Sequence, residues 1–135
     1  MTRQPSLTFA SKPRRAAPEA ALQKAVIQHL RLRHKPGVLF LSIPNEAKRS
    51  AVMGGHLKAM GMLPGAADLL IVVQGRALFL ELKAPNGVVS ESQWAFGGAA
   101  TEAGADYYIR CNLDDALNVL EAWGAIRPDA RGANA

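Results

Sequence analysis

The sequence predicts an α/β fold with a mixed central sheet flanked by helices. Three observations lead there. Apolar residues recur at helical spacing in separate segments, short apolar runs bounded by Pro, Gly or Asn fall between those segments, and two such runs are separated by Gln74 and Gly75 alone. The resulting order of helix, strand, helix, strand, strand, helix, strand, helix reads as helices layered on one sheet. A chain of 135 residues is one domain by length and can bury a core without a disulfide or structural metal.

Taken in order, residues 1–16 contain Pro5 and Pro13 with no apolar period, which predicts a flexible basic arm. Pro18 opens a helix from Glu19 to about Arg33, in which Leu22, Val26 and Leu30 make one stripe with Ala25 and Ile27 beside it; Pro36 and Gly37 end it. Val38 to Ile43 is a short strand stopped by Pro44, and polar, basic Asn45 to Ser50 is a loop. Met53, Leu57 and Met60 mark a second helix over 51–60, weakened by Gly54 and Gly55 at about 1 kcal/mol each. Gly61, Pro64 and Gly65 turn into the strand pair Leu69–Val73 and Ala77–Leu82. Ser90 with Gln93 at its third following position has capping-box spacing and starts a third helix to about Glu102. Gly104 ends it, Tyr107 to Cys111 is a strand, and Asn112 or Asp114 caps a last helix to about Trp123. The compact domain spans 17–126, with 127–135 a flexible tail.

Composition removes several classes of function. Cys111 is the single cysteine, so no intrachain disulfide and no cysteine-rich zinc site can form, and a reducing cytoplasm is expected. No apolar run approaches the roughly 20 residues that span a bilayer, and Leu7 to Ala10 is too short for a secretory core. The arm is basic and free of acids, as an organellar transit peptide would be, but it is rich in proline and lacks helical amphipathicity. No Gly-rich phosphate loop of the Walker type is present. Charge is divided unevenly. From Lys24 to Lys58 seven bases stand against Glu46 alone, a balance of +6, whereas from Gly61 to Ile126 three bases face eight acids, a balance of −5. That division fits a polyanion-binding face, and it equally fits a pair of solvated helix faces.

The strand pair poses a sharper question, because Asp68 opens the first strand while Glu81 and Lys83 close the second. If Gln74 and Gly75 form a two-residue hairpin turn, Val73 faces Arg76 and the pairing continues until Asp68 faces Glu81. Opposed residues lie on one side of a sheet about 5 Å apart, where two carboxylates repel. A divalent cation between them removes that repulsion and finds the oxygen ligands it prefers. Alternation puts Lys83 on the side of Glu81 and sends Leu78, Leu80 and Leu82 to the core. Acid, acid and amine then converge at the strand ends. The alternative is structural: Glu81 and Lys83 as a surface pair, and Asp68 satisfying turn amides.

Asn45-Glu46 with Lys48-Arg49, the run Gly61-Met62-Leu63-Pro64-Gly65-Ala66-Ala67-Asp68-Leu69, then Glu81-Leu82-Lys83, then Ser90 and Gln93 resemble the VRR-NUC nucleases, a branch of the PD-(D/E)XK superfamily. The resemblance spans Glu19 to about Trp123 and lies in the ordered set. It departs at Ala67, where many members carry proline before the aspartate; that proline shapes a turn and binds nothing. The resemblance implies a restriction-endonuclease-like core in which Asp68, Glu81 and the Leu82 carbonyl bind Mg²⁺ or Mn²⁺, and Lys83 orients or deprotonates the attacking water. It further implies roles near the site for Glu19 on the first helix and for Gln93. The residues themselves leave two plainer readings open: a glutamate favoured by the helix dipole, and a helix cap. The resemblance also implies cleavage that leaves a 5′-phosphate and a 3′-hydroxyl; the residues themselves do not show which bond breaks.

Arg14, Arg15, Asn45, Lys48, Arg49, Lys58 and Ser90 are the candidate DNA contacts, although each base alone reads more readily as an ordinary surface charge. His29, His34 and His56 lack zinc-ligand spacing, and Trp94 and Phe96 are expected in the core, with base-stacking platforms as the alternative. The resemblance thus predicts a metal-dependent DNA endonuclease of a bacterium or phage-infected cell, acting in the cytoplasm on double-stranded or branched DNA such as Holliday junctions. A homodimer is expected from the small size and the apolar Ala51-Val52-Met53 segment. The competing reading is a catalytically inactive nucleic-acid-binding module that uses the basic N-terminal half.

Overall fold

A computed structural model describes residues 17–44 and 51–128. The expected arm, the loop at 45–50 and the tail from 129 lie outside the described residues, and with them Arg14, Arg15, Asn45, Lys48 and Arg49. The elements are α1 (Ala17–Arg33), β1 (Val38–Ser42), α2 (Ala51–Ala59), β2 (Leu69–Val73), β3 (Arg76–Leu82), α3 (Glu91–Glu102), β4 (Asp106–Arg110) and α4 (Leu113–Ala122). Their order is the expected one, with ends shifted by one or two residues. The four strands form one sheet in the order β1-β2-β3-β4, antiparallel except for the parallel pair β3 and β4. A parallel pair needs a crossover connection, and α3 provides it.

One face of the sheet is the core. Leu69, Ile71 and Val73 of β2 and Leu78, Leu80 and Leu82 of β3 pack against Val26 and Leu30 of α1 and Leu117 and Leu120 of α4. Ile126 and Trp123 complete the cluster. The two flanking helices are tied at one end by Arg33, buried on α1, which donates to Glu121 of α4 at 2.6 Å and to the Arg127 carbonyl. The backbone answers with Arg127 N–H donating to the Arg33 carbonyl.

Local chemistry sets the remaining joints. Gln74 and Gly75 both have positive φ, 52° and 79°, the type I′ hairpin geometry whose twist matches that of the strands. Ser90 caps α3 with a complete capping box, its hydroxyl accepting from Gln93 N–H while the Gln93 side chain accepts from Ser90 N–H. Asn112, not Asp114, caps α4 by accepting from Asp115 N–H. Among the described residues no helix is long and apolar enough to cross a membrane.

Candidate active site

The hairpin register is the anticipated one, with Val73 opposite Arg76 and Leu69 opposite Leu80. One step past the ladder Asp68 therefore reaches the level of Glu81. Alternation sends Asp68, Phe79, Glu81 and Lys83 to the face opposite the leucine core. Asp68 is fixed there by accepting a hydrogen bond from Leu82 N–H at 2.8 Å, and its carbonyl accepts from Ile43 N–H beyond the end of β1. The two carboxylates share a side of the sheet, the arrangement on which a joint grip of one cation depends.

Glu81 is only 3% exposed and Lys83 9%, low values for charged residues. The Lys83 Nζ lies 3.8 Å from Glu81 Oε2, and Gln93 Nε2 donates to the same oxygen at 2.8 Å. This burial sets aside the solvated surface pair: the two side chains are held inside the domain between β3 and the start of α3. Gln93 makes the helix cap and a second contact as well. Its Oε1 completes the helix cap while its Nε2 holds Glu81, so one side chain joins the end of α3 to the site.

Glu19, on the first turn of α1, accepts from Ala84 N–H at 3.2 Å, next to Lys83. A Cβ on Gly87 would sit 3.3 Å from both Glu19 Oε2 and Lys83 Cδ, so glutamate and lysine stem share one close-packed corner. Gly65 provides the other joint. Its φ is +76°, and a Cβ there would overlap the Ser92 carbonyl group and lie 2.6 Å from Gln93 N. The turn leading to Asp68 is thus pressed against the very turn of α3 that carries Gln93, an approach that glycine alone permits.

The sequence reading missed Tyr107. Facing the site side of β4 beside Phe79, it donates weakly from its hydroxyl to the Gln93 carbonyl at 3.5 Å. Burial, then the charges of Glu81 and Asp68, push its pKa up to about 12. No spacing rule could bring it here, because the contact depends on the parallel crossover through α3. Phe96 packs as expected, edge-on to Phe79 at 5.0 Å. Trp94 does not: it is 61% exposed, so the expectation of a core tryptophan is corrected.

The remaining candidates are dispersed. Ser90 is exposed beside Gln93 at the mouth of the site, and Lys58 is exposed on α2. Lys24 and Arg31, one α1 face apart from the candidates, line a cleft with Gln23 and Ser42 next to Glu19's neighbour Ala20. His29 pairs with Arg33 and His34 with the Leu30 carbonyl and the Phe40 ring, away from the acids. A larger groove of about 700 Å³ between β4 and α4 contains none of the site residues.

No group of three or more His, Cys, Asp or Glu side chains suited to a metal occurs among the described residues. The oxygen donors on this face are the Asp68 and Glu81 carboxylates, to which the family resemblance would add the Leu82 carbonyl. That all-oxygen set fits Mg²⁺ or Mn²⁺, which take one or two carboxylates and keep several waters, and it does not suit Zn²⁺, which favours nitrogen and sulfur.

Neither family models nor curated proteins match this sequence. Solved structures do. A protein described as a VRR_NUC domain superposes with a TM-score of 0.55 and 20% identity, covering 80% of this chain and 99% of its own. A VRR_NUC domain protein gives a TM-score of 0.66 and 16% identity, covering 85% of this chain and all of its own. With its mixed four-stranded sheet, its crossover helix and its acids at the strand ends, this chain has the restriction-endonuclease-like fold of a VRR-NUC domain.

Proposed function

We propose that this protein is a Mg²⁺- or Mn²⁺-dependent DNA endonuclease that hydrolyses phosphodiester bonds. The observation that carries the reading is the convergence of Asp68, Glu81 and Lys83 on one side of the sheet, with Glu81 and Lys83 both buried. Asp68, Glu81 and the Leu82 carbonyl would hold the cation, which supplies charge neutralisation and a lowered pKa for water at the phosphate. Gln93 fixes the Glu81 carboxylate through one oxygen. Lys83, restrained by Glu81 and by the corner at Gly87, presents its ammonium to an attacking water or to a phosphate oxygen. Glu19 braces the turn after Lys83 through Ala84 N–H and so keeps the amine at the strand end.

The test compares the wild-type chain with Glu81→Ala and Lys83→Ala on linear and four-way-junction DNA, with Mg²⁺, Mn²⁺ or chelator. Cleavage should require the cation and fall at least ~100-fold in each variant, while DNA binding persists. Full cleavage by either variant would overturn the assignment. Binding by the wild type without any metal-dependent cutting would favour the non-catalytic module instead.

Branched DNA and a homodimer form the finer part of the same reading. Leu39 and Leu41 of β1 are 60% and 42% exposed, an apolar surface that a second copy would cover. The side chains of Ala51 to Met53 lie outside the described residues. A two-fold assembly would present two sites to a symmetric junction. Sedimentation at micromolar concentration should show a dimer; a monomer that still resolves junctions would refute it. Lys24 and Arg31 on α1 and exposed Lys58 on α2 would meet phosphates outside the site, and binding should therefore weaken steeply as salt is raised.

A further inference from the structure

Trp94 immediately follows Gln93, the residue that holds Glu81, yet it points outward and is 61% exposed. It stands at the head of a groove of about 670 Å³ formed with Gly97, Gly98, Thr101, Glu102 and Tyr107. Gly97 allows the Tyr107 ring to lie against the helix, since a Cβ there would come within 2.7 Å of Tyr107 Cε2. Gly98 faces open space, with nothing within 4 Å of where its Cβ would be. Two adjacent glycines inside a helix cost about 1 kcal/mol each relative to alanine. Here they leave a floor without side chains between an exposed indole and a tyrosine ring.

We propose that this groove receives a nucleobase unstacked from the DNA substrate, with Trp94 as the stacking platform. The proposal rests on the nuclease reading above. Three features select a base as the occupant. The groove adjoins the acid-acid-amine site through Tyr107, which lines it and donates to the carbonyl of Gln93, the residue that holds Glu81. Its single charged residue is Glu102, which repels a phosphate and accepts from an exocyclic amine such as that of cytosine. The exposed indole offers a flat π face, which every base can use regardless of sequence. The consequence is a preference for DNA with unpaired nucleotides, at junctions, gaps or bubbles, over continuous duplex.

The test is equilibrium binding of the full chain, in chelator, to a gapped duplex and to a fully paired duplex of equal length. Trp94→Ala should weaken gapped-DNA binding on the order of tenfold and leave duplex binding within about twofold, and Trp94→Phe should restore most of the loss. Gly98→Leu, at an open helical position that tolerates a side chain, should fill the groove and reproduce the selective loss. Trp123, the only other tryptophan, is 8% exposed, so quenching of wild-type fluorescence by gapped DNA reports on Trp94. Equal weakening on both DNAs, no weakening on either, or loss of a dimer on Trp94→Ala would overturn the proposal. Because these readings need no cation, they stand apart from the cleavage test: selective loss without cleavage sinks the nuclease, and cleavage without selective loss sinks the base groove.

Discussion

The two faces of β3 share a backbone and differ in what they bury. On one, Leu78, Leu80 and Leu82 are fully enclosed among aliphatic side chains from α1, α4 and β2. On the other, Phe79 packs against α3, but Glu81 and Lys83 are enclosed almost as completely. Burial of apolar groups stabilises the fold, while burial of charges is costly unless they are paired and hydrogen-bonded. The comparison teaches that the leucine face pays for the other: a rigid apolar layer holds the strand in place while its reverse carries groups the fold alone would not choose.

Substitutions at four positions probe this contrast, in descending order of effect on stability. Leu80→Ala empties a core position and should lower stability by about 2–5 kcal/mol in denaturant titration. Its counterpart at the joint, Gly65→Ala, combines a positive φ with overlap against Ser92 and should cost about 1–3 kcal/mol from backbone strain alone. It should also displace Gln93, so cleavage should fall in excess of what the unfolded fraction accounts for; loss of stability with full specific activity would contradict that link.

Asp68 separates charge from hydrogen bonding. Asp68→Ala leaves Leu82 N–H without its acceptor and should destabilise by about 1–3 kcal/mol. Asp68→Asn keeps an oxygen for that N–H and removes the repulsion with Glu81, so in chelator it should melt at or above the wild-type temperature while losing cation affinity. A melting temperature for Asp68→Asn as low as that of Asp68→Ala would show that repulsion at the site is negligible.

Tyr107 gives the smallest effect and a pH signature. Its folded pKa of about 12 lies above the ordinary phenol value of about 10, so the fold favours the protonated form. The stabilisation is fully present below pH ~10 and is lost as pH rises towards ~12, where the unfolded chain has already released the proton. Tyr107→Phe should melt with a shallower decline than wild type across that window; parallel curves would remove the shift that burial, and then Glu81 and Asp68, impose on the phenol.

Much of this was legible in advance because its causes are local. The turn at Gln74-Gly75 set the register, the register brought Asp68 to the level of Glu81, and alternation separated leucines from acids. Ser90 and Gln93 announced a cap by spacing alone. What escaped prediction depends on contacts between distant segments. Tyr107 reaches the site through a parallel pairing, Arg33 finds Glu121 across two helices, and Gly65 meets Ser92 through packing that no sequence period encodes. Trp94 was misplaced for a related reason: apolar character argues for burial, but its position on α3 relative to Phe96 decides which way it points.

The double engagement of Gln93 explains why an amide occupies that position. A glutamate would close the capping box equally well and would sit more comfortably near the positive end of the helix dipole. It would also set an anion against Glu81 Oε2, with no N–H to offer it. Gln93→Glu is therefore the substitution in which helix propensity and the buried carboxylate disagree, one residue asked to serve a helix cap and Glu81, whose requirements part over a single proton donor.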